Sequence, residues 1–171
     1  MRVVLYDEAR ALTCGSPGRF TCLGFTRAVV PQPNPDSAAG LALVGGKRRA
    51  LVVDDEPTIR SALARYLRRQ GWDAEEAEDG MAALNKLGRT GPHGYQVVVS
   101  DLRMPHCSGV ELHDWLAEHR PDLFARLIIT TGDLASPAWS NFVARTPRPL
   151  IEKPFDLAVL AKLIEAVARG R

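Results

Sequence analysis

The chain has 171 residues, 46% of them apolar and 25% charged, which is the composition of an ordinary globular domain with an appendage. Its net charge of +2 is uneven: five basic and three acidic residues precede Arg48, and 17 of each follow from there on, so the main body lacks the basic footprint of a nucleic-acid binder. Cys14, Cys22 and Cys107 form no CxxC pair or disulfide framework, the four histidines complete no zinc pattern, and no run approaches the ~18 apolar residues of a membrane span; the expectation is a cytoplasmic protein without membrane or nucleic-acid partners.

Residues 2–6 and 20–30 are candidate short strands, but Gly15, Pro17, Gly18 and Gly24 interrupt them and no partner segment is evident. Residues 31–47, PQPNPDSAAGLALVGGK, hold three prolines, three glycines and several small residues. Such a stretch buries too little surface to offset its ordering entropy and reads as a linker. Residues 1–47 are thus an unassigned N-terminal segment plus linker, and residues 48–171 the folded domain.

From Arg48 onward, short apolar runs alternate with helix-period segments. Residues 50–53, 97–99, 127–130 and 150–151 read as buried strands, with a weaker one at 72–77. Ile59, Leu63 and Leu67 recur at a spacing of four, as do Leu160 and Ile164 beside Leu157, giving each helix one apolar stripe. Asp79, Ser136 followed by Pro137, and Asp156 mark helix starts. Five βα units result, which implies a parallel sheet with helices on both faces and a ligand site beyond the strands' C-terminal ends.

Asp54 and Asp55 follow the first of these strands, Asp101 the third, Thr131 the fourth and Lys153 the fifth, so all five meet at one sheet edge. Three carboxylates brought together raise one another's pKa unless a cation sits among them. A hard divalent ion such as Mg2+, which uses one or two carboxylates and keeps waters, suits that pocket better than Ca2+. An aspartate there is equipped to attack a phosphoryl donor while Lys153 neutralises charge and Thr131 hydrogen-bonds a phosphoryl oxygen.

The motifs LVVDDE at 51–56, SDLRMP at 100–105, ITTGD at 129–133 and EKPF at 152–155 together resemble a response-regulator receiver domain of two-component signal transduction. No one of the four is specific; their order and spacing over residues 48–171 are. The resemblance implies a flavodoxin-like five-stranded parallel sheet in the order 2-1-3-4-5. It implies that Asp101 accepts the phosphoryl group, Asp55 binds Mg2+ directly, Asp54 assists through water, and the Arg103 carbonyl completes the protein ligands. It also implies a cis Lys153-Pro154 bond, a sensor histidine kinase or histidine phosphotransfer protein as donor, and a separate output partner, since the chain stops after the last helix. The TGD and EKPF variants resemble receivers of hybrid sensor histidine kinases.

Against the family pattern, Leu150 stands three residues before Lys153, where an aromatic residue is usual. The expectation is a switch without a Tyr or Phe flip, carried by the loops after the third and fourth strands and the helix that follows. Arg103 and Asp133 flank the phosphate position and suggest an ion-paired lid. His106, His113 and His119 lack a helical ligand spacing and read as surface histidines, Cys107 as an inert thiol, and Trp139, Phe142 and Val143 as a helical cluster of which at least two are core. Two other classes compete: a phosphorylation-independent interaction module with this fold, and an aspartate-based phosphatase. The second lacks the acid two residues after its nucleophile, where Arg103 stands. No phosphorylatable-histidine box or ATP lid is present, so the expectation is a phosphoacceptor and not an enzyme.

Overall fold

The structure, a computed structural model, describes residues 3–4, 48–90 and 94–170. The expected linker, and all of residues 5–47, lie outside the described residues.

In chain order the elements are β1 (Val3–Val4), β2 (Arg48–Val53), α1 (Pro57–Arg69), β3 (Trp72–Ala77), α2 (Gly80–Arg89), β4 (Val97–Asp101), α3 (Gly109–His119), α4 (Pro121–Phe124), β5 (Leu127–Thr131), α5 (Ser140–Arg145), β6 (Leu150–Glu152) and α6 (Leu157–Ala168). The sheet runs β1-β6-β5-β4-β2-β3. Its last five strands are all parallel and, numbered among themselves, follow the order 2-1-3-4-5 expected for a flavodoxin-like fold. The sixth strand is an addition: β1 pairs antiparallel with the β6 edge, Val3 opposite Ile151 and Val4 opposite Leu150.

Strand alternation divides the core in two. Leu51, Val53, Val98, Leu127, Ile129 and Leu150 point to the face covered by α2, α3 and α5 through Ala83, Leu87, Leu112, Leu116 and Phe142. Ala50, Val52, Val97, Val99, Ile128 and Ile151 point to the other, covered by α1 and α6 through Leu63, Leu67, Leu160 and Ile164. Both stripes read from the sequence are therefore buried, with Ile59 and Leu157 only half so. Burial of each large aliphatic side chain stabilises the fold by about 1.5–3 kcal/mol.

Local signals set most helix ends. Asp79 and Asp156 cap α2 and α6, their carboxylates accepting from Ala82 N–H and Ala158 N–H. Pro57 opens α1 at its first turn, and α3 begins in a capping box between Ser108 and Glu111. One expected start was wrong. Ser136 and Pro137 form a turn in which Trp139 N–H donates to Ser136 O, and the Ser140 hydroxyl takes the Pro137 carbonyl. The first α-type bond, Val143 N–H to Trp139 O, therefore comes three residues later than expected, and α5 runs only from Ser140 to Arg145.

His113 is also not a surface residue. It is buried on α3, edge-on to Phe124 and Phe142, because the short α4, unmarked in the sequence pattern, brings Phe124 over it. Phe142 is buried, with Trp139 and Val143 packed at the rim of the core, as the helical cluster suggested.

Candidate functional site at the sheet edge

The parallel sheet brings the C-terminal ends of β2, β4, β5 and β6 to one edge, and with them Asp54, Asp101, Thr131 and Lys153. Lys153 Nζ lies 2.6 Å from Asp101 Oδ1 and 2.8 Å from Asp54 Oδ2. Asp54 and Asp101 are both buried. Lys153 follows directly on the short β6, the Lys153-Pro154 bond is cis as expected, and Lys153 N–H donates to Thr131 O at 2.7 Å, stitching the two strand ends together.

The carboxylates are held from the backbone as well. Asp54 Oδ1 accepts from Glu56 N–H at 2.9 Å, and Asp101 Oδ2 from Arg103 N–H at 2.7 Å. Burial pushes the Asp101 carboxyl above its ordinary pKa. The Lys153 ammonium and the Arg103 N–H pull it down and the neighbouring Asp54 pushes it up, so burial prevails. At Lys153 burial works against the charge, but the bonds to Asp101 and Asp54 outweigh it and hold the amine above the ordinary lysine value.

Thr131 is buried, its hydroxyl accepting from Asp133 N–H at 3.3 Å. Asp55 lies on the exposed side of the same edge, and its carboxylate makes no hydrogen bond or ion pair with the described residues. The Arg103 side chain is exposed and enters none of the ion pairs among the described residues; Asp133 instead accepts from Ala135 N–H, so the expected lid is not formed here. Among the described residues no three His, Cys, Asp or Glu side chains are grouped so as to hold a metal ion; Asp54 and Asp101 instead share the Lys153 ammonium.

Two residues at this edge escaped the sequence reading. Gly109 opens α3 against the end of β4: a Cβ there would overlap the Asp101 carbonyl oxygen and lie 2.9 Å from Leu102 Cα, which only the packing reveals. Arg60, on the first turn of α1, donates from Nη1 to Asp54 O at 2.6 Å. Its only sequence signal is a position five residues after Asp55 and off the apolar stripe. Cys107 is buried, and burial raises its thiol pKa, consistent with an inert thiol.

The family model of the response regulator receiver domain matches residues 50–165. The chain is 38% identical over 128 residues to the transcriptional regulatory protein TrcR of Mycobacterium tuberculosis, covering 73% of this chain and 47% of the relative. It is 38% identical over 77 residues to the sensor protein EvgS of Escherichia coli, covering 45% of this chain and 6% of that one. Among solved structures it is similar to response regulator TrrA of Thermotoga maritima in complex with Mg2+-BeF, with 29% identity, a TM-score of 0.58, and coverage of 70% and 98%. The chain thus spans about half of TrcR and a small part of EvgS.

Proposed function

The chain belongs to the family of response regulator receiver domains of two-component signalling, and from that membership we propose that it is a Mg2+-dependent phosphoacceptor switch or relay with Asp101 as the acceptor. The observation that carries this reading is the buried Asp54–Lys153–Asp101 contact beside Thr131 at the C-terminal edge of the sheet. The family is a phosphoacceptor signalling domain and not an enzyme class.

The donor chemistry suits Mg2+, which commonly takes one or two carboxylates and keeps waters: hard oxygens of Asp54, Asp55 and Asp101, two of them on buried groups, plus the Arg103 carbonyl would hold it. When bound, Mg2+ neutralises charge on the phosphoryl oxygens. The protein supplies the rest. A carboxylate oxygen of Asp101 attacks the phosphorus of a phosphohistidine; the P–O bond forms as the P–N bond breaks, and the imidazole leaves. Burial strips water from the nucleophile, and Arg103 N–H and Lys153 keep it oriented. Lys153 then bonds a phosphoryl oxygen in place of one of its two present carboxylate partners, and the Thr131 hydroxyl donates to another.

The donor is a sensor histidine kinase or a histidine phosphotransfer protein, and the phosphorylated state is read by an output partner. Among the described residues no helix is long and apolar enough to cross a membrane, which accords with work in the cytoplasm. The test is beryllofluoride binding followed by 19F NMR. A bound signal that needs both Mg2+ and Asp101 supports the reading; a bound signal persisting in Asp101→Asn, or none in the folded wild type, overturns it.

A further inference from the structure

Asp54 and Asp55 are restrained very differently. The Asp54 carboxylate is fixed by Glu56 N–H and by Lys153. The Asp55 carboxylate has no partner among the described residues, so its position follows from the backbone that carries it. That backbone is gripped from behind by one side chain. Arg60 Nη1 donates to Asp54 O at 2.6 Å and, at the limit of a bond, to Asp55 O at 3.5 Å. Arg60 Nε in turn lies 3.7 Å from Glu76 Oε2 on β3, and the guanidinium side chain is only 15% exposed. Glu76 is itself fixed by the Ser61 hydroxyl and by Arg68.

We propose that Arg60 is a positioning residue for the metal-binding carboxylates, its guanidinium locking the peptide between Asp54 and Asp55 so that Asp55 is presented to Mg2+. This rests on the reading of Asp55 as a Mg2+ ligand. A peptide unit is planar, so pinning the Asp54 carbonyl also places the Asp55 N–H and Cα, and the weaker contact to Asp55 O holds the far side of that residue's backbone. The contact is not a helix cap, because Arg60 binds carbonyls that precede α1, whereas a cap accepts from the first N–H groups of the helix. Nor does its charge help: a guanidinium this near disfavours a divalent cation by Coulomb repulsion. Its contribution is geometric, and partners that orient metal ligands change affinity by about 10–100-fold when removed.

Geometry and charge predict opposite signs, and Mg2+ titration by calorimetry separates them, with circular dichroism and the thermal midpoint as folding controls. Asp55→Asn establishes the parent reading by weakening Mg2+ binding. Given that, Arg60→Met weakens Mg2+ binding about tenfold. Arg60→Lys, which keeps the charge but loses the planar fork, also weakens it. Glu76→Gln, which leaves Arg60 in place but loosens its anchor, weakens it to a smaller degree. Binding that is unchanged or tighter in Arg60→Met, or a wild-type affinity in Arg60→Lys, overturns the positioning role. Should Arg60→Met fail to fold, the Lys and Gln variants decide. If Asp55→Asn binds as wild type, the parent reading fails and the positioning role falls with it.

Discussion

Lys153 Nζ sits 2.6 Å from Asp101 Oδ1, nearer than to its second partner, Asp54 Oδ2 at 2.8 Å. The lysine ammonium therefore bridges the proposed phosphoacceptor and a carboxylate proposed to bind metal, and offsets part of the negative charge that the cation would share. Its removal has two opposite consequences. Lys153→Met binds Mg2+ several-fold more tightly, because a competing positive charge is gone. It forms the phosphoryl adduct about 10²–10³-fold more slowly, because a donor to the transferring group is gone. Calorimetry and intact-mass time courses check the pair; slower phosphorylation with weaker Mg2+ binding contradicts the bridging account.

Gly109→Ala destabilises the domain by about 1–3 kcal/mol. The new Cβ would meet backbone, the Asp101 carbonyl oxygen and Leu102 Cα, and backbone does not rotate aside as a long side chain does. Urea unfolding measures the loss. A change within experimental error contradicts the close approach of α3 to β4.

Much of this was legible in the sequence because it is local. The apolar runs at β2, β4, β5 and β6 and the stripes of α1 and α6 fix the layers, and the strand ends then place Asp54, Asp101, Thr131 and Lys153 together. What was not legible depends on long-range packing. His113 is buried only because α4 and α5 bring Phe124 and Phe142 to it. The helix start misplaced to Ser136 failed because the Ser140 hydroxyl competes for the Pro137 carbonyl. Arg60 sits on the polar side of an amphipathic helix, where nothing in the pattern separates a clamp from a solvated charge. The pairing of Val3–Val4 with β6 joins segments far apart in the chain.

His113 makes stability depend on pH. Burial lowers its pKa below the ordinary 6.5, against the raising effect of Asp114; Arg145 and Arg148 lower it further. Its Nδ1 lies 2.8 Å from Asp114 Oδ1 and its Nε2 3.0 Å from Thr146 Oγ1. Because Thr146 Oγ1 already accepts from Arg148 N–H, the arrangement suits a neutral ring that donates from Nδ1 and accepts at Nε2. The folded state then binds fewer protons than the unfolded one, so the contribution is fully present above the unfolded pKa of about 6.5 and is lost as pH falls from there through the lower folded value. Thermal midpoints across that range fall in the wild type and fall less in His113→Gln. Equal slopes contradict this assignment.

Leu150, which stands where the family usually has an aromatic residue, is fully buried with Phe142 and Ile129 in one core layer. Leu150→Tyr costs about 1–3 kcal/mol through overpacking, read by urea unfolding. Beryllofluoride with Mg2+ is expected to shift the amide resonances of residues 132–145 in the wild type, the outcome of a switch carried by the loop after β5 and by α5. Unperturbed resonances there contradict that route.

The central claim is tested most directly by intact mass after incubation with acetyl phosphate and Mg2+, beside Asp101→Asn and a metal-free control. The account predicts one phosphoryl adduct, present only when both Asp101 and Mg2+ are present. An adduct retained in folded Asp101→Asn, or formed equally well without metal, contradicts it.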